Sequence, residues 1–293
     1  MLNNNRNRIL AAAFLIAVAI WLSLAFSAPR PLEVTFFDVG DGLSIFVHTP
    51  AGRSMIMDCG SSSWRDNSKV GKKLVVPYIQ SLGLDSIDVA ILSHPHADHA
   101  SGFPDLLKQK PAKLVLECGA DYDSPEHEAF DDAVKKCNAN RKIAYRGQIL
   151  DLGEGVRAEI LHPKQNAKYE DLNDNSIVIR LTYKQFSAIL SADATQVAEE
   201  EMLDAGVDVR AQVLQVGHHG SQSATSPRWL AAVQPSIAVI SCARHSRYSF
   251  PSKKVAQRLS AFGVRTYVTA KCGSVTISTD GNKIKVHTRK YSN

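Results

Sequence analysis

The sequence predicts a mixed α/β chain in which two β-sheets pack on one another and helices cover them from outside. Three observations carry that prediction. Apolar strand-like runs alternate with amphipathic helical runs from residue 29 to the end. The series falls into two half-repeats, each a sheet plus helices. No low-complexity tract or second linker divides residues 29–293, so they read as one domain. The composition agrees: 293 residues with 44% apolar and 22% charged side chains can bury a full core, which excludes disordered and fibrous classes. A net charge of +5, from 34 basic and 29 acidic residues, is a mild bias toward anionic partners.

The first half opens with three strand-like runs, "LEVTFFDV", "LSIFVHT" and "RSMIMD", parted by the turn signals "GDG" and "PAG", and so reads as an antiparallel meander. A helical stretch near "KKLVVPYIQSLG" leads to the strand "DVAILS", a helix near "FPDLLKQ", the strand "KLVLE" and a long amphipathic helix in "PEHEAFDDAVKKCNAN". The second half repeats the plan with "VRAEILH", "SIVIRLTY" and "FSAILSA", the helix "VAEEEMLDAG" and the strand "QVLQVG". Further strands then alternate with the helices "PRWLAAV" and "KKVAQRLSAFG". The basic tail "KIKVHTRK" reads as an edge strand whose lysines discourage sheet-to-sheet pairing; it lacks the interleaved aromatics of a single-strand platform.

Ahead of the domain, "NNNRNR" precedes twenty uncharged residues from Ile9 to Ala28, a run that can span a bilayer. Two arginines before it, and the small residues Ala25, Ser27 and Ala28 at its end, fit a cleaved export signal and an uncleaved anchor equally. Either way residues 29–293 are expected outside the cytoplasm, tethered through residues 9–28 if the segment is uncleaved. Five cysteines leave at least one unpaired; in an oxidising compartment Cys242–Cys272 and then Cys118–Cys137 are the first pairings to test.

The chemistry concentrates in "SHPHADHASG", residues 93–102, directly behind an apolar strand. Four metal-loving side chains in six residues are costly to gather without a cation. His94 and His96 would converge on one ion, while Asp98 and His99 would lie toward a neighbouring one, giving two subsites from one tight loop. Asp58 in "MDCG" would steady that loop as an acceptor behind the ligands. Asp193, just past "FSAIL", would bridge two cations roughly 3.5–4 Å apart, and His218 or His219 in "GHHGS" would complete a coordination shell. Asp193 taken alone reads first as a helix cap, and only its combination with the other residues favours a ligand. Ser221 and Thr225 would either hydrogen-bond substrate oxygens or cap the helix at "PRWLAAV". His48, His127, His162, His245 and His287 read as surface or packing residues, and Cys59 as a buried thiol.

At these residues the chain resembles the metallo-β-lactamase superfamily, whose HxHxDH motif matches His94, His96, Asp98 and His99. More narrowly it is similar to the hydrolase-like domain of the ComEC branch of competence proteins, through "FFDVGDGLSIFV", "MDCG", "LSHPHADHASG", "NDNSIVIRL", "ILSADA" and "LQVGHHGSQSATSP". The resemblance implies a four-layer αββα sandwich with a metal site at the edge where the sheets meet. This sequence departs from the branch at Leu43, where a further acid is usual, and at Phe250, where a histidine precedes proline. Asn173 in "NDNS" stands where the wider superfamily has a histidine; a weak ligand or a substrate contact are both open. With one apolar segment, the expectation is a stand-alone relative rather than a channel.

The expected chemistry is hydrolysis by water activated on one or two divalent ions, with Asp98 orienting the nucleophile and sharing in proton transfer. Imidazole and carboxylate without thiolate suit zinc, manganese or iron, zinc and manganese foremost. The substrate implied by the resemblance is a phosphodiester, DNA included. A small-ester hydrolase of phosphorylcholine esterase or lactonase type, and a metal-binding module without turnover, are the alternatives. β-Lactam hydrolysis is not expected, because superfamily membership does not set substrate.

Overall fold

The computed structural model of the chain describes residues 2–27, 30–62 and 69–290. The chain divides into two compact units at Arg30/Pro31. The first holds one helix, Leu2–Ser27. Residues 28 and 29, where the apolar run ends, lie outside the described residues, as do several of the helix's side chains. Among the described residues no helix is long and apolar enough to cross a membrane, so the anchor expectation finds no support there.

The second unit is the expected double-sheet sandwich. One sheet has eight strands in the order 284–289, 274–279, 32–36, 44–48, 54–59, 87–92, 112–117, 140–143. The other has seven, ordered 265–268, 237–240, 213–215, 186–190, 178–183, 157–162, 149–151. The three opening runs do form an antiparallel meander, and the basic tail is an edge strand, Ile284–Arg289. The C-terminal hairpin departs from the half-repeat plan. It returns to the first sheet, pairing Ser274–Thr279 with Leu32–Phe36.

Side-chain alternation explains why two sheets give four layers. Along Ser54–Cys59, Met55 and Met57 point into the core between the sheets, while Ile56 and Cys59 point to the helix-covered face. The second sheet behaves likewise: Ala188 and Leu190 enter the central core, and Ile189 packs beneath the helices Gln196–Asp204 and Pro227–Val233. Leu43, at the first departure from the branch pattern, is fully buried in the central core.

The disulfide expectation is corrected: all five cysteines are free thiols. Cys242 lies in the helix-side core of the second sheet, whereas Cys272 packs against the core between the sheets. Cys118 and Cys137 are divided in the same way about the first sheet. Each proposed partner therefore sits across a sheet from the other. Cys272 and Cys137 instead donate to the carbonyls of Val268 (3.1 Å) and Val134 (3.4 Å).

The topology dictates where a site can form. Strands 54–59, 87–92 and 112–117 run parallel, and so do 186–190, 213–215 and 237–240. Their carboxyl ends carry Asp58, the loop from His94, Asp193, and the tandem histidines onto one rim of the sandwich. That rim is the usual place for a site in a sheet built this way.

Candidate metal centre

His94 and His96 follow the end of strand Ile87–Leu92, His94 in a bend and His96 in extended backbone as the cap of a one-turn helix, Ala97–Ala100, that carries Asp98 and His99. His94 Nε2 and His96 Nδ1 face each other at 2.9 Å. The motif is thus half loop and half helical turn, which sends its two halves to adjacent points. The turn is clamped from below: Leu43 donates to the Asp98 carbonyl (3.1 Å) and Gly102 to the Cys59 carbonyl (2.6 Å). At Gly60 a Cβ would overlap the Asp98 carbonyl carbon and the His99 amide nitrogen, so only glycine lets the two backbones approach this closely.

Asp58 sits where expected, behind the ligands. It is the extra residue of a β-bulge, since Ser44 pairs with Cys59 but Ile45 with Met57, and its φ of 61° is left-handed. The bulge turns the carboxylate onto Ser93 N and Oγ and His99 Nδ1, each at 2.7 Å. Burial pushes this carboxyl up, against the pull of the His99 charge and the Ser93 donors. With its Nδ1 on Asp58, His99 presents Nε2 to the site.

From the second half, Ala192 (φ 46°) turns Asp193 inward, and His218 and His219 (φ 49° and 54°) stand in a tight turn after strand Val213–Gln215. His219 is held by Nδ1 on the Ser241 carbonyl (3.1 Å), which aims Nε2 at Asp193 Oδ2 (3.2 Å) and Asp98 Oδ2 (3.3 Å). His99 Nε2 lies 3.3 Å from Asp193 Oδ2 and 3.9 Å from Asp98 Oδ2. Asp98, His99, Asp193 and His219 therefore offer four ligand atoms all within 4.8 Å of one another. His218 stands at the rim, its Nε2 3.9 Å from Asp193 Oδ2 and its Nδ1 on Ser223 Oγ (3.1 Å).

His99 Nε2 and His219 Nε2, with the other oxygen of Asp193, Oδ1, are buried without a hydrogen-bond partner. Each such atom ordinarily costs about 1–3 kcal/mol. Three converging on one small volume fit a divalent cation, and the donor set of imidazole and carboxylate suits one. Burial opposes charging of His99 and His219, but Asp193 and its neighbouring carboxylates raise His99 well above the usual range and His219 to about 10. Reciprocally, burial would raise Asp193 and Asp98, but the His219 and His99 charges bring both below the usual carboxylate range. His94 and His96 are driven down, by burial first.

Other sequence candidates are placed differently. Thr225 is buried, its hydroxyl accepting from Gly217 N (3.3 Å) and its own amide donating to Glu199, so it shapes the loop and cannot reach a substrate. Nor does it cap the following helix; Ser226 does, accepting from Trp229 N at 3.0 Å. The Ser221 hydroxyl pairs with Ser223 Oγ (2.9 Å) and, like it, lies in the loop after the tandem histidines. Asn173 Oδ1 is shielded without a partner, while its neighbour Asp174 ties this turn to the Asp193 loop through Thr195 N and Oγ1. His162 packs between the Ser176 carbonyl and Tyr169 Oη, as a structural histidine. Sequence reasoning missed Ser93, Ser176, Ser241 and Glu199, which brace the ligands or their loops through contacts between distant segments. Phe250, the second departure from the branch pattern, places its ring 6.0 Å from His218 and 6.3 Å from His219.

Fold and site define a class, and the comparisons agree. The sequence profile of the Metallo-beta-lactamase superfamily matches residues 37–245, and the chain belongs to that superfamily of metal-dependent hydrolases. Within it the chain falls in the ComEC-like branch. It is 28% identical to ComE operon protein 3 of Bacillus subtilis over 83% of this chain and 32% of that protein. It is 30% identical to Recombination protein 2 of Haemophilus influenzae over 98% of this chain and 34% of that one. The chain thus spans about a third of the length of the curated relatives it matches. Among solved structures, YhfI of Bacillus subtilis shares the fold with a TM-score of 0.56 at 15% identity, covering 88% of this chain and all of that one (100%). Igni18 of Ignicoccus hospitalis does so at 0.52 and 14%, covering 83% and 98%.

Proposed function

We propose that the protein hydrolyses phosphodiester bonds, with nucleic acid as the substrate class, and that it does so outside the cytoplasm. The observation that carries the hydrolytic part is the group of buried, unpartnered ligand atoms on His99, His219 and Asp193, flanked by the His94–His96 pair. The nucleic-acid part leans on relatives named for competence and recombination, and the location on the export reading of residues 9–28. His94, His96, Asp98, His99, Asp193 and His219 would hold one or two zinc or manganese ions, with His218 at the margin. A divalent ion held there supplies water with a pKa lowered toward ~7 and a positive charge facing the phosphoryl oxygens.

The chain's own groups do the rest. Asp98, the most solvent-accessible carboxylate of the cluster, with a quarter (25%) of its side chain exposed, orients the attacking water and accepts its proton. Asp193 lies between the imidazoles of His99 and His219 and holds the two halves of the site in register. Asp58 and Ser241 fix which nitrogen of His99 and of His219 faces the substrate.

The test is to incubate the full chain with manganese or zinc, against single-stranded DNA and bis(4-nitrophenyl) phosphate, beside His96→Ala. DNA cleavage that disappears in the variant supports the proposal. Turnover confined to carboxylic or choline esters, or metal bound stoichiometrically with no turnover of any ester, would overturn it.

A further inference from the structure

The segment that follows strand Ile237–Ile240 reads "CARHSRYSFPSKK", residues 242–254, with four lysines and arginines, two aromatics and no acid. Its rings form a row leading out of the metal centre. Phe250 is nearly parallel to His219 (29°, 6.3 Å) and to Tyr248 (26°, 5.4 Å). Exposure rises along the row, from His219 at 4% to Tyr248 at 66%. A tyrosine this open, stacked on a second ring that touches the ligand histidines, leaves an aromatic surface beside the reacting position.

Basic groups flank that surface. Arg244 and Arg247 are exposed, and among the described residues each gives a guanidinium hydrogen only to a backbone carbonyl, of Ala270 (3.4 Å) and Ser62 (3.2 Å) respectively. Two acids lie at the start of the segment: Asp41, which accepts from Ala243 N, and Asp38, whose carboxyl is pushed up by burial and drawn back by the Arg244 charge. Beside Phe250 a cleft of about 350 Å³ is lined by Cys242, Arg244, Pro251, Val268 and Lys271. The segment is anchored at its start by Ala243 N on Asp41 Oδ1 (3.0 Å), and Ser249 holds a left-handed φ of 58° between the two aromatics. Alternating cations and rings of this kind are what binding of an unpaired strand requires: the charges follow the phosphates and the rings take base faces. A duplex offers no free base face.

We propose that Arg244–Phe250 is the strand-binding arm of the centre. A base flanking the scissile phosphodiester of a single-stranded nucleic acid stacks on Tyr248 and Phe250, while Arg244 and Arg247 take neighbouring phosphates. This rests on the phosphodiesterase reading and specifies its substrate as single-stranded.

The test separates binding from cleavage. Affinity of the full chain for a fluorescein-labelled dT12 is measured by anisotropy under chelation, and cleavage of the same probe is measured separately with manganese. Tyr248→Ala should weaken dT12 binding about 5- to 100-fold, and Tyr248→Phe should restore it. Metal content and melting temperature should stay at wild-type values in both, since this side chain is exposed. Arg247→Ala should lower the slope of log affinity against log salt by about 0.7. A single abasic site moved along the 12-mer should weaken wild-type binding at one position and have no further effect there in Tyr248→Ala. Wild-type affinity in Tyr248→Ala, an abasic penalty equal in both proteins, or equal binding of a 12-base-pair duplex would overturn the arm. If dT12 binds with this Tyr248 dependence yet is never cleaved, the arm stands and the phosphodiesterase reading fails. If dT12 is cleaved with no dependence on Tyr248, the reverse holds.

Discussion

His219 and His99 show how one set of side chains serves two states. Without an ion, the carboxylates around them favour the protonated form of each. With one, each must give up that proton, because a ligating imidazole is neutral. Ion binding near pH 7 should therefore release protons, read as a calorimetric heat that varies with the ionisation enthalpy of the buffer; a buffer-independent heat would contradict that protonation. Stability follows with a definite sign. The folded pKa of His219 is raised to about 10, above the ordinary histidine value of about 6.5. Its contribution in the metal-stripped protein is complete below about pH 6.5 and lost as pH rises through about 10. The stripped protein should melt lower at pH 9.5 than at pH 6.5, and His219→Gln should flatten that dependence.

Among the structural elements, the strands set the precision of the site. Gly60 and the bulge at Asp58 end the strand Ser54–Cys59 so that the Asp98–His99 backbone can rest on it. Gly60→Ala should lower stability by about 2–4 kcal/mol in denaturant titration, because no flexible atom can yield. Binding of zinc should weaken in parallel. The next strand is tied at its other end by Asp88, which accepts from Ser54 N (2.9 Å), Arg53 (3.1 Å) and Lys113 (2.8 Å). Burial pushes its carboxyl up, but the hydrogen bond from Lys113, with those from Ser54 and Arg53, brings it below the usual range. The contribution is present above about pH 4 and lost as pH falls through the lowered folded value. Asp88→Ala should cost about 1–3 kcal/mol at pH 7, and the gap to wild type should narrow toward pH 2.5. A gap independent of pH would refute the ionic part. The element reading of the sequence did not find the strands Asn140–Ile143 and Ile149–Asp151, whose residues are largely exposed and so form no apolar run.

For the whole domain, the proposed ligands come from both halves: His94, His96, Asp98 and His99 from the first sheet, Asp193 and His219 from the second. An ion held by both is a cross-link over the rim. At 100 times its dissociation constant it adds about 2.7 kcal/mol, about 5–10 °C in melting temperature for a domain of this size. A thermal scan with and without saturating manganese or zinc checks this. No shift for either ion would mean that the six side chains do not act as one site.

Much of this was legible in the residues themselves. The two half-repeats, the meander, the edge strand and the ligand-bearing turns follow from periodicity and from local residue chemistry, which act over a few positions along the chain. Tertiary structure alone decided four things: that His219 and not His218 joins the compact group, that Thr225 turns inward, that the cysteines lie across sheets from one another, and that Phe250 and Tyr248 line the way in. Each depends on which segments meet at a sheet rim and on single left-handed residues that aim a side chain. Such contacts couple positions tens to hundreds of residues apart, and no local pattern encodes them.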